Sequence, residues 1–333
     1  MLRDIVVIAA SRGAVPVLRV LVERLDPDPR VILLIVMHVG RHPSILPDLL
    51  TSWGRIPAFH PAHGESLQRG NIYVAPPDRH MVVRGNTLCL LDTAAENFSR
   101  PAADPLFRSA AREYRERVVG VVLTGDLDDG AAGLAAVGAR GGYVVVQDPD
   151  DCEAPSMPRC AMAAVGVDAV ATREALPDML RAAIEGAPTR EETIMAKRMP
   201  GNRPDLDREA AISEGGLAEP AALDEIGERA ALTCPSCHGA LWRLRDDQPL
   251  RYRCHTGHAF TSLSLEDANA QSADDAIWGT IRAVHERIIL ARERLAWARR
   301  AGQHADAERE QLTIVENEKL VELLRAAAAI PSE

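Results

Sequence analysis

Short apolar runs alternate with helix-like segments over the first half of the chain. Residues 5–9 (IVVIA) and 32–37 (ILLIVM) are uninterrupted apolar runs, and apolar residues then recur at helical spacing after each of them. Residues 118–123 (VVGVVL) form a similar run, and an alanine-rich segment follows from Gly130. An uninterrupted apolar run is typical of a strand that is buried on both faces. The pattern therefore predicts an α/β fold with a doubly wound, mostly parallel sheet.

A different pattern occupies residues 59–91, where the apolar runs are short and extended. Two of them are separated only by Gly85 and Asn86, which is a hairpin signal. We therefore expect an antiparallel edge hairpin beside the main sheet. The rest of this first domain, which we place at residues 1–186, is predicted to hold a helix at 100–117, strands at 143–146 and 169–171, and a helix that ends near residue 185.

The second half of the chain changes character twice. Residues 187–229 are rich in charged residues, Pro and Gly and poor in large apolar residues, which predicts an acidic flexible linker. Residues 230–264 carry a cysteine and histidine cluster, and residues 265–330 carry two apolar stripes at helical spacing. We expect a small zinc ribbon followed by a helical hairpin that turns at residues 301–304. Trp278 is expected in the hairpin core, and the stripe at residues 320–329 is expected to pair either within the chain or with another copy.

Composition narrows the class of protein. The 333 residues carry a formal net charge of −10, which argues against a surface that binds nucleic acid or adsorbs to membranes in general. The first residues lack a signal-peptide pattern, and no apolar run approaches the roughly 20 residues that a membrane-spanning helix needs. We expect a cytoplasmic protein without membrane insertion.

A serine, a histidine and an aspartate, the residue types of a nucleophilic catalytic triad, each follow one of the predicted parallel strands. Ser11 comes after the first strand, His38 after the second, and Asp129 after the strand at 118–123. A serine nucleophile needs a base within hydrogen-bond reach and a third group that orients the base, and their order in the sequence is free. The alternatives are a helix-capping serine, a structural histidine, and solvated or magnesium-binding carboxylates at Asp126, Asp128 and Asp129.

The cysteine cluster has the spacing of a metal site. Two cysteines lie three positions apart on a tight turn and a second pair of donors follows after sixteen residues, which is the pattern of a structural zinc ribbon: Cys234, Cys237, Cys254 and His258. His255 and His238 compete with His258 as the fourth ligand, and unligated cysteines are the alternative. Four nearby arginines, at 243, 245, 251 and 253, make the ribbon locally basic. They are expected to be solvated, and binding of nucleic acid or an acidic partner is the alternative.

Six blocks of sequence resemble, in the same order, the catalytic domain of the CheB family of protein-glutamate methylesterases. They are AASRGA, VMHVG, IYVAPPDRHM, RPAADPLFRSAA, LTGDLDDGAAG and MPRCAM, within residues 4–185. The resemblance implies that Ser11, His38 and Asp129 form the catalytic triad and that a backbone N–H at about Asp126 stabilises the oxyanion. It implies no catalytic cofactor. It also implies hydrolysis of glutamyl methyl esters on chemoreceptors or receptor-like signalling proteins, with glutamine deamidation as a related activity.

The CPxC and RCxxGHAF motifs resemble those of extended members of this family, which keep a histidine at the position of His258. The chain starts at the first catalytic strand, so we expect a receiver-less member. Four positions, Arg12, Ala14, Asp126 and Leu127, depart from the family's usual residues, and a carboxylate at 126 opposes an oxyanion unless it points away. The second hypothesis is a catalytically impaired scaffold or sensor whose ribbon and helices recruit a signalling partner. His80, Arg100 and Arg108 are further candidates for contacts in the cleft or with an acidic receptor helix.

Overall fold

The computed structural model describes residues 2–39, 43–189, 206–247 and 249–328. These residues divide into two compact units, Met1–Leu265 and Glu266–Glu333. The first unit contains both the predicted catalytic domain and the predicted ribbon. The second unit begins where the helical hairpin was expected.

The predicted parallel sheet is present and has seven strands. Each strand of this sheet is parallel to the strand beside it. In chain order the fourteen described strands are β1 (Ile5–Ala10), β2 (Ile32–Met37), β3 (Ala58–Phe59), β4 (Glu65–Ser66), β5 (Asn71–Val74), β6 (His80–Arg84), β7 (Thr87–Leu91), β8 (Val118–Val122), β9 (Tyr143–Gln147), β10 (Ala169–Ala171), β11 (Gly227–Thr233), β12 (Ala240–Asp247), β13 (Leu250–Cys254) and β14 (Ala259–Thr261). The order in the main sheet is β10-β9-β8-β1-β2-β5-β3, which places β8, β1 and β2 side by side.

Helices cover both faces of this sheet and explain the uninterrupted apolar runs. They are α1 (Ala14–Arg24), α2 (Leu46–Trp53), α3 (Ala103–Tyr114), α4 (Ala131–Ala139), α5 (Ser156–Ala164) and α6 (Leu176–Ile184). Ile5, Val7 and Ala9 pack in one hydrophobic cluster, and the alternate residues of β1 pack in the other. Because both faces are buried, neither set of alternate positions in the strand can be polar.

The predicted hairpin also forms, with Gly85 and Asn86 between β6 and β7. It belongs to a separate three-stranded antiparallel sheet, β4-β7-β6, instead of extending the edge of the main sheet. This corrects the expected position of the hairpin but not its turn. The predicted strand at residues 169–171 is confirmed as β10.

The prediction of a linker over residues 187–229 is wrong for residues 206–229, and residues 190–205 lie outside the described part of the chain. Residues 206–226 form two helices, α7 (Leu206–Gly215) and α8 (Pro220–Ile226), and β11 starts at Gly227. Ile212 packs with Leu223 and Trp242 in a small apolar cluster. Glu209 of α7 is buried and lies 2.5 Å from Arg251 of β13 in an ion pair. Glu209, one of the charged residues that suggested a solvated linker, is thus the partner of a buried arginine.

The ribbon is the four-stranded antiparallel sheet β11-β12-β13-β14, residues 227–261. The second unit contains most of α9 (Ser262–Arg300) and all of α10 (His304–Ala328), which agrees with the predicted turn. Trp278 is 52% exposed, so its expected place in the hairpin core is wrong, because the buried stripe runs through Ile281 and Val284 on another side of α9. No helix in the described ranges is both long enough and apolar enough to cross a bilayer, and this includes the 39-residue α9. Pairing of the 320–329 stripe with another copy stays a prediction.

Candidate active site

The three central strands place the three predicted catalytic residues at one edge of the sheet. Ser11 follows β1, His38 follows β2, and Asp129 lies in the loop after β8. The backbone pairing continues past the strand ends: the Ser11 N–H donates to the Thr124 carbonyl at 3.1 Å, and the His38 N–H donates to the Ala10 carbonyl at 3.1 Å. Residues far apart in the sequence therefore meet where chemistry collects in open α/β sheets.

Ser11, His38 and Asp129 form a continuous set of side-chain contacts. His38 Nδ1 lies 3.2 Å from Ser11 Oγ, and His38 Nε2 lies 2.7 Å from Asp129 Oδ2. A carboxylate only accepts hydrogen bonds, so the partner of Asp129 is the Nε2–H of the ring, and Nδ1 is then free to accept the serine proton. The geometry has the order nucleophile, base and orienting group. Their catalytic roles stay predictions.

Asp129 is 2% exposed and is held by the first turn of α3. Its Oδ2 accepts the Ala103 N–H at 2.6 Å and its Oδ1 accepts the Asp104 N–H at 3.2 Å. Burial by itself raises the pKa of Asp129, but the hydrogen bonds from His38, Ala103 and Asp104 together lower it below its usual value. A helix N-terminus also favours negative charge. Asp129 is therefore an ionised partner for His38.

Asp104 is a second buried carboxyl that sequence reasoning did not single out. Its Oδ1 accepts the N–H groups of Gly130 and Gly133, at 3.1 and 2.7 Å, and so holds the loop of Asp129 against α3. Burial and the charge of Asp129 raise the pKa of Asp104 to about 8. At neutral pH the proton of this carboxyl pair therefore resides on Asp104, and Asp129 carries the charge. The only sequence signal was its place in the RPAADPLF block.

The loop after β8 carries the backbone N–H that was predicted to stabilise the oxyanion, that of Asp126. In the described part of the chain, the N–H of Asp126 has no hydrogen-bond acceptor. The Asp126 carboxylate instead pairs with Arg12 at 2.9 Å, on the exposed surface. Two of the departures from the family pattern therefore form an ion pair with each other, and Arg12 balances the charge of the carboxylate.

Gly125 and Thr124 fix this turn, and neither was predicted as a site residue. A Cβ at Gly125 would lie 2.7 Å from Ser11 Cβ and 2.1 Å from Met157 Sδ, so only glycine fits there. The buried Thr124 hydroxyl donates to the Arg12 carbonyl at 3.0 Å, and the Thr124 N–H donates to Gln147 Oε1 at 3.0 Å. The loop after β8 is thus locked to the loop of the nucleophile.

Three weaker candidates have structural roles instead of places in the cleft. His80 is 1% exposed and contacts the Ala94 carbonyl and the Ala102 N–H, at 3.0 and 3.2 Å. Arg108 is 4% exposed and binds Glu96, so it cannot reach a receptor helix. Arg100 binds Asp78 and the backbone of residues 92–93. The residues next to His80 and Arg108 in the sequence do not indicate that these two side chains are buried.

The predicted metal ligands come together in the ribbon. One donor atom from each of Cys234, Cys237, Cys254 and His258 lies within 4.8 Å of all the others. Cys237 Sγ and Cys254 Sγ are 3.7 Å apart, and His258 Nδ1 lies 3.5 Å from Cys254 Sγ. Neither His255 nor His238 belongs to this cluster. The cluster can hold a metal ion, and Thr256 Oγ1, 2.9 Å from two of the sulfurs, is placed to donate to them.

The expectation that the ribbon arginines are solvated is wrong for two of the four. Arg251 is 6% exposed and Arg253 is 0% exposed. Arg253 binds Glu96 at 2.9 Å, and Arg251 binds Glu209. Arginines are rarely buried unless they are paired, and the partners here lie far away in the sequence. These side chains attach the ribbon to the rest of the first unit.

Comparison with known proteins gives one family. Residues 6–180 match the family described as CheB methylesterase. A putative protein-glutamate methylesterase/protein-glutamine glutaminase of Leptospira interrogans is 33% identical over 178 residues, which are 53% of this chain and 92% of that protein. Protein-glutamate methylesterase/protein-glutamine glutaminase 3 of Anaeromyxobacter dehalogenans is 37% identical over 179 residues. The chain spans 52% of the length of that second relative.

A solved structure agrees with this. The crystal structure of the Thermotoga maritima CheB methylesterase catalytic domain superposes with a TM-score of 0.51 and 26% identity, and it covers 56% of this chain and 99% of that domain. The α/β fold with a mostly parallel sheet is thus confirmed by the comparison. The ribbon and the C-terminal helices lie beyond the matched family residues, 6–180.

Leu127 has a backbone conformation that favours glycine. Its φ is 57°, which lies in the left-handed region that L-residues rarely adopt. That conformation costs an L-residue about 1–2 kcal/mol, and glycine loses about 0.5–1 kcal/mol of backbone entropy instead. We expect Leu127→Gly to stabilise the protein by about 0.5–1 kcal/mol, measured by urea denaturation. Leu232→Gly, in the exposed part of β11, is the control and should destabilise; a loss of stability in both variants would contradict the strain at Leu127.

Proposed function

Since the chain belongs to the CheB methylesterase family, we propose that it is a serine hydrolase that cleaves glutamyl methyl esters by a Ser11–His38–Asp129 relay. The observation that carries the proposal is the unbroken contact from Ser11 Oγ through the His38 ring to Asp129. A lone serine or histidine at a strand end has many structural uses. Three such groups in the order nucleophile, base and orienting carboxylate favour acyl transfer.

The first half of the reaction transfers the acyl group to the enzyme. Ser11 Oγ attacks the ester carbonyl carbon while His38 Nδ1 accepts the hydroxyl proton, and the resulting imidazolium is stabilised by ionised Asp129. The carbonyl oxygen, on which negative charge develops, accepts a hydrogen bond from the N–H of Asp126. His38 then donates its proton to the departing methoxide. The products are methanol and a glutamyl ester of Ser11.

The second half regenerates the enzyme with water as the nucleophile. His38 Nδ1 accepts a proton from the water, the hydroxide attacks the acyl carbonyl, and the proton then passes to Ser11 Oγ. The product is a glutamate side chain. A glutamine side chain follows the same route with ammonia as the leaving group, which accounts for deamidation as a related activity.

The proposed substrate is a methylated chemoreceptor or receptor-like signalling protein. The named activity of the relatives supports this class, since their names join glutamate methylesterase with glutamine glutaminase. No catalytic cofactor enters the mechanism, because each proton transfer is assigned to His38.

The ribbon is proposed to hold a structural zinc ion. Tetrahedral zinc with sulfur ligands at 2.3 Å places the sulfurs about 3.8 Å apart. The distance of 3.7 Å between Cys237 Sγ and Cys254 Sγ fits that requirement. Four protein donors leave no position for a substrate, so the ion would stabilise the ribbon and take no part in hydrolysis.

Methanol release tests the hydrolase proposal. A purified chemoreceptor fragment with methylated glutamates is incubated with the wild type, and we expect methanol in proportion to the methyl groups lost. Ser11→Ala and His38→Ala should each lower kcat by about 1,000-fold or more, because each removes an essential member of the relay. Ser52→Ala, at an exposed site on α2, is the matched control. Full methanol release by folded Ser11→Ala would refute the proposal.

Metal analysis tests the zinc proposal. We expect about one equivalent of zinc per chain in the purified wild type, and its loss together with a lower Tm in Cys237→Ser, because a thiolate ligand is removed. Cys160→Ser, at a half-buried cysteine outside the cluster, should retain the metal. Equal zinc content in all three proteins would show that the cluster does not bind the ion.

A further inference from the structure

The loop that precedes α3 joins the ribbon to the site of the catalytic aspartate. The Asn97 N–H donates to the Ala259 carbonyl of β14 at 2.8 Å, and Glu96 and Ala259 form a parallel β-bridge. The ring of Phe98 lies 4.9 Å from the ring of Phe260. The backbone of this loop is thus paired with the last strand of the ribbon.

The side chain of Asn97 connects the two parts directly. It is 5% exposed, and its Oδ1 accepts the Thr261 N–H and the Ser264 hydroxyl, both at 3.1 Å. Its Nδ2 donates to Asp129 Oδ1 at 3.4 Å and to Asp104 Oδ2 at 3.2 Å. The backbone N–H of Thr261 can only donate, so the amide oxygen faces the ribbon and the amide nitrogen faces the carboxylates.

Thr261 makes a second contact with the loop of the catalytic aspartate. Its hydroxyl donates to Asp128 Oδ1 at 2.8 Å, and both residues are buried. Burial, opposed by this hydrogen bond, raises the pKa of Asp128 to about 6. The residue next to Asp129 in the chain is therefore held by the ribbon.

Buried ion pairs fix the same loop from both sides. Glu96 accepts hydrogen bonds from Arg253 of the ribbon at 2.9 Å and from Arg108 of α3 at 2.6 Å. Arg253 is completely buried. Removing one partner of a buried pair leaves an uncompensated charge and is strongly destabilising. The position of Asn97 is therefore set by the docked ribbon as well as by its own helix.

We propose that the ribbon positions the catalytic aspartate by two routes. In the first, Asn97 is the positioning residue, and its side chain is supported by the Thr261 N–H and the Ser264 hydroxyl. In the second, the Thr261 hydroxyl holds Asp128, the neighbour of Asp129 in the chain. Asn97 donates to Oδ1 of Asp129, and His38 uses Oδ2. Without this donor, the partners of the carboxylate among the described residues are the first turn of α3 and the His38 ring itself, so its alignment with that ring is less restricted. The consequence is a lower kcat with little change in KM. This inference rests on the proposed function.

Two substitutions at Thr261 separate positioning from packing. We expect Thr261→Val to lower kcat by about tenfold with KM changed by less than about twofold, since a hydrogen bond to a charged group is lost. Thr261→Ser keeps the hydroxyl and should restore kcat to within about twofold of the wild type. Thr280→Val, whose hydroxyl bonds only to the Ala276 carbonyl of its own helix, is the control. Rates are divided by the fraction of enzyme that a fluorophosphonate titrates.

A double-mutant cycle tests the route through Asn97. Asn97→Ala should lower kcat by about tenfold or more, and Ser264→Ala should have an effect alone but none in the Asn97→Ala background. An undiminished effect of Ser264→Ala in that background, or wild-type kcat in folded Thr261→Val, would overturn the inference.

A spectroscopic readout distinguishes failure of the inference from failure of the proposed function. The low-field proton resonance of the His38 Nε2–H bonded to Asp129 should shift in Asn97→Ala and Thr261→Val and stay in place in Thr280→Val. If the resonance shifts in these variants and the wild type releases no methanol, the proposed function is rejected and the positioning role is kept. An unshifted resonance with an active wild type would reject the positioning role alone.

Discussion

The hydrogen bond between His38 Nε2 and Asp129 Oδ2 is the contact on which the structure of the site depends. It joins residues 91 positions apart at 2.7 Å, and it fixes the proton on Nε2 so that Nδ1 is available to Ser11. The neighbouring positions of β8, β1 and β2 bring the two loops together. The first turn of α3 then keeps Asp129 ionised in a buried place, because its N–H groups replace the lost water.

The carboxyl groups around this contact differ in protonation and in their partners. Asp104 keeps a proton at neutral pH and holds the loop, whereas Asp129 keeps the negative charge. Asp126 carries the N–H predicted to stabilise the oxyanion, and its carboxylate pairs with Arg12 on the surface. Each of these three carboxyl groups therefore has a partner among the described residues.

The parts that the sequence predicted well are those that depend on local patterns. Uninterrupted apolar runs predicted β1, β2 and β8, and the residues that follow them were therefore expected at one edge. The paired spacing of Cys234 and Cys237 likewise pointed to a cluster that includes Cys254 and His258.

The parts that were missed depend on distant partners. Arg253 and Glu96 are 157 positions apart, and nothing near either residue shows that both are buried. For the same reason α7 was mistaken for part of a linker. Its Glu209 is a solvated residue by composition and a buried counter-ion in the fold.

The relay is tested most directly by the site and rate of reaction with a fluorophosphonate, followed by intact mass and peptide mapping. The account predicts a single adduct on Ser11, with labelling slowed strongly and to a similar extent in His38→Ala and in the double variant His38→Ala/Asp129→Asn, since Asp129 acts through the ring. An adduct at another residue, or labelling of Ser11 at the wild-type rate without His38, would contradict it.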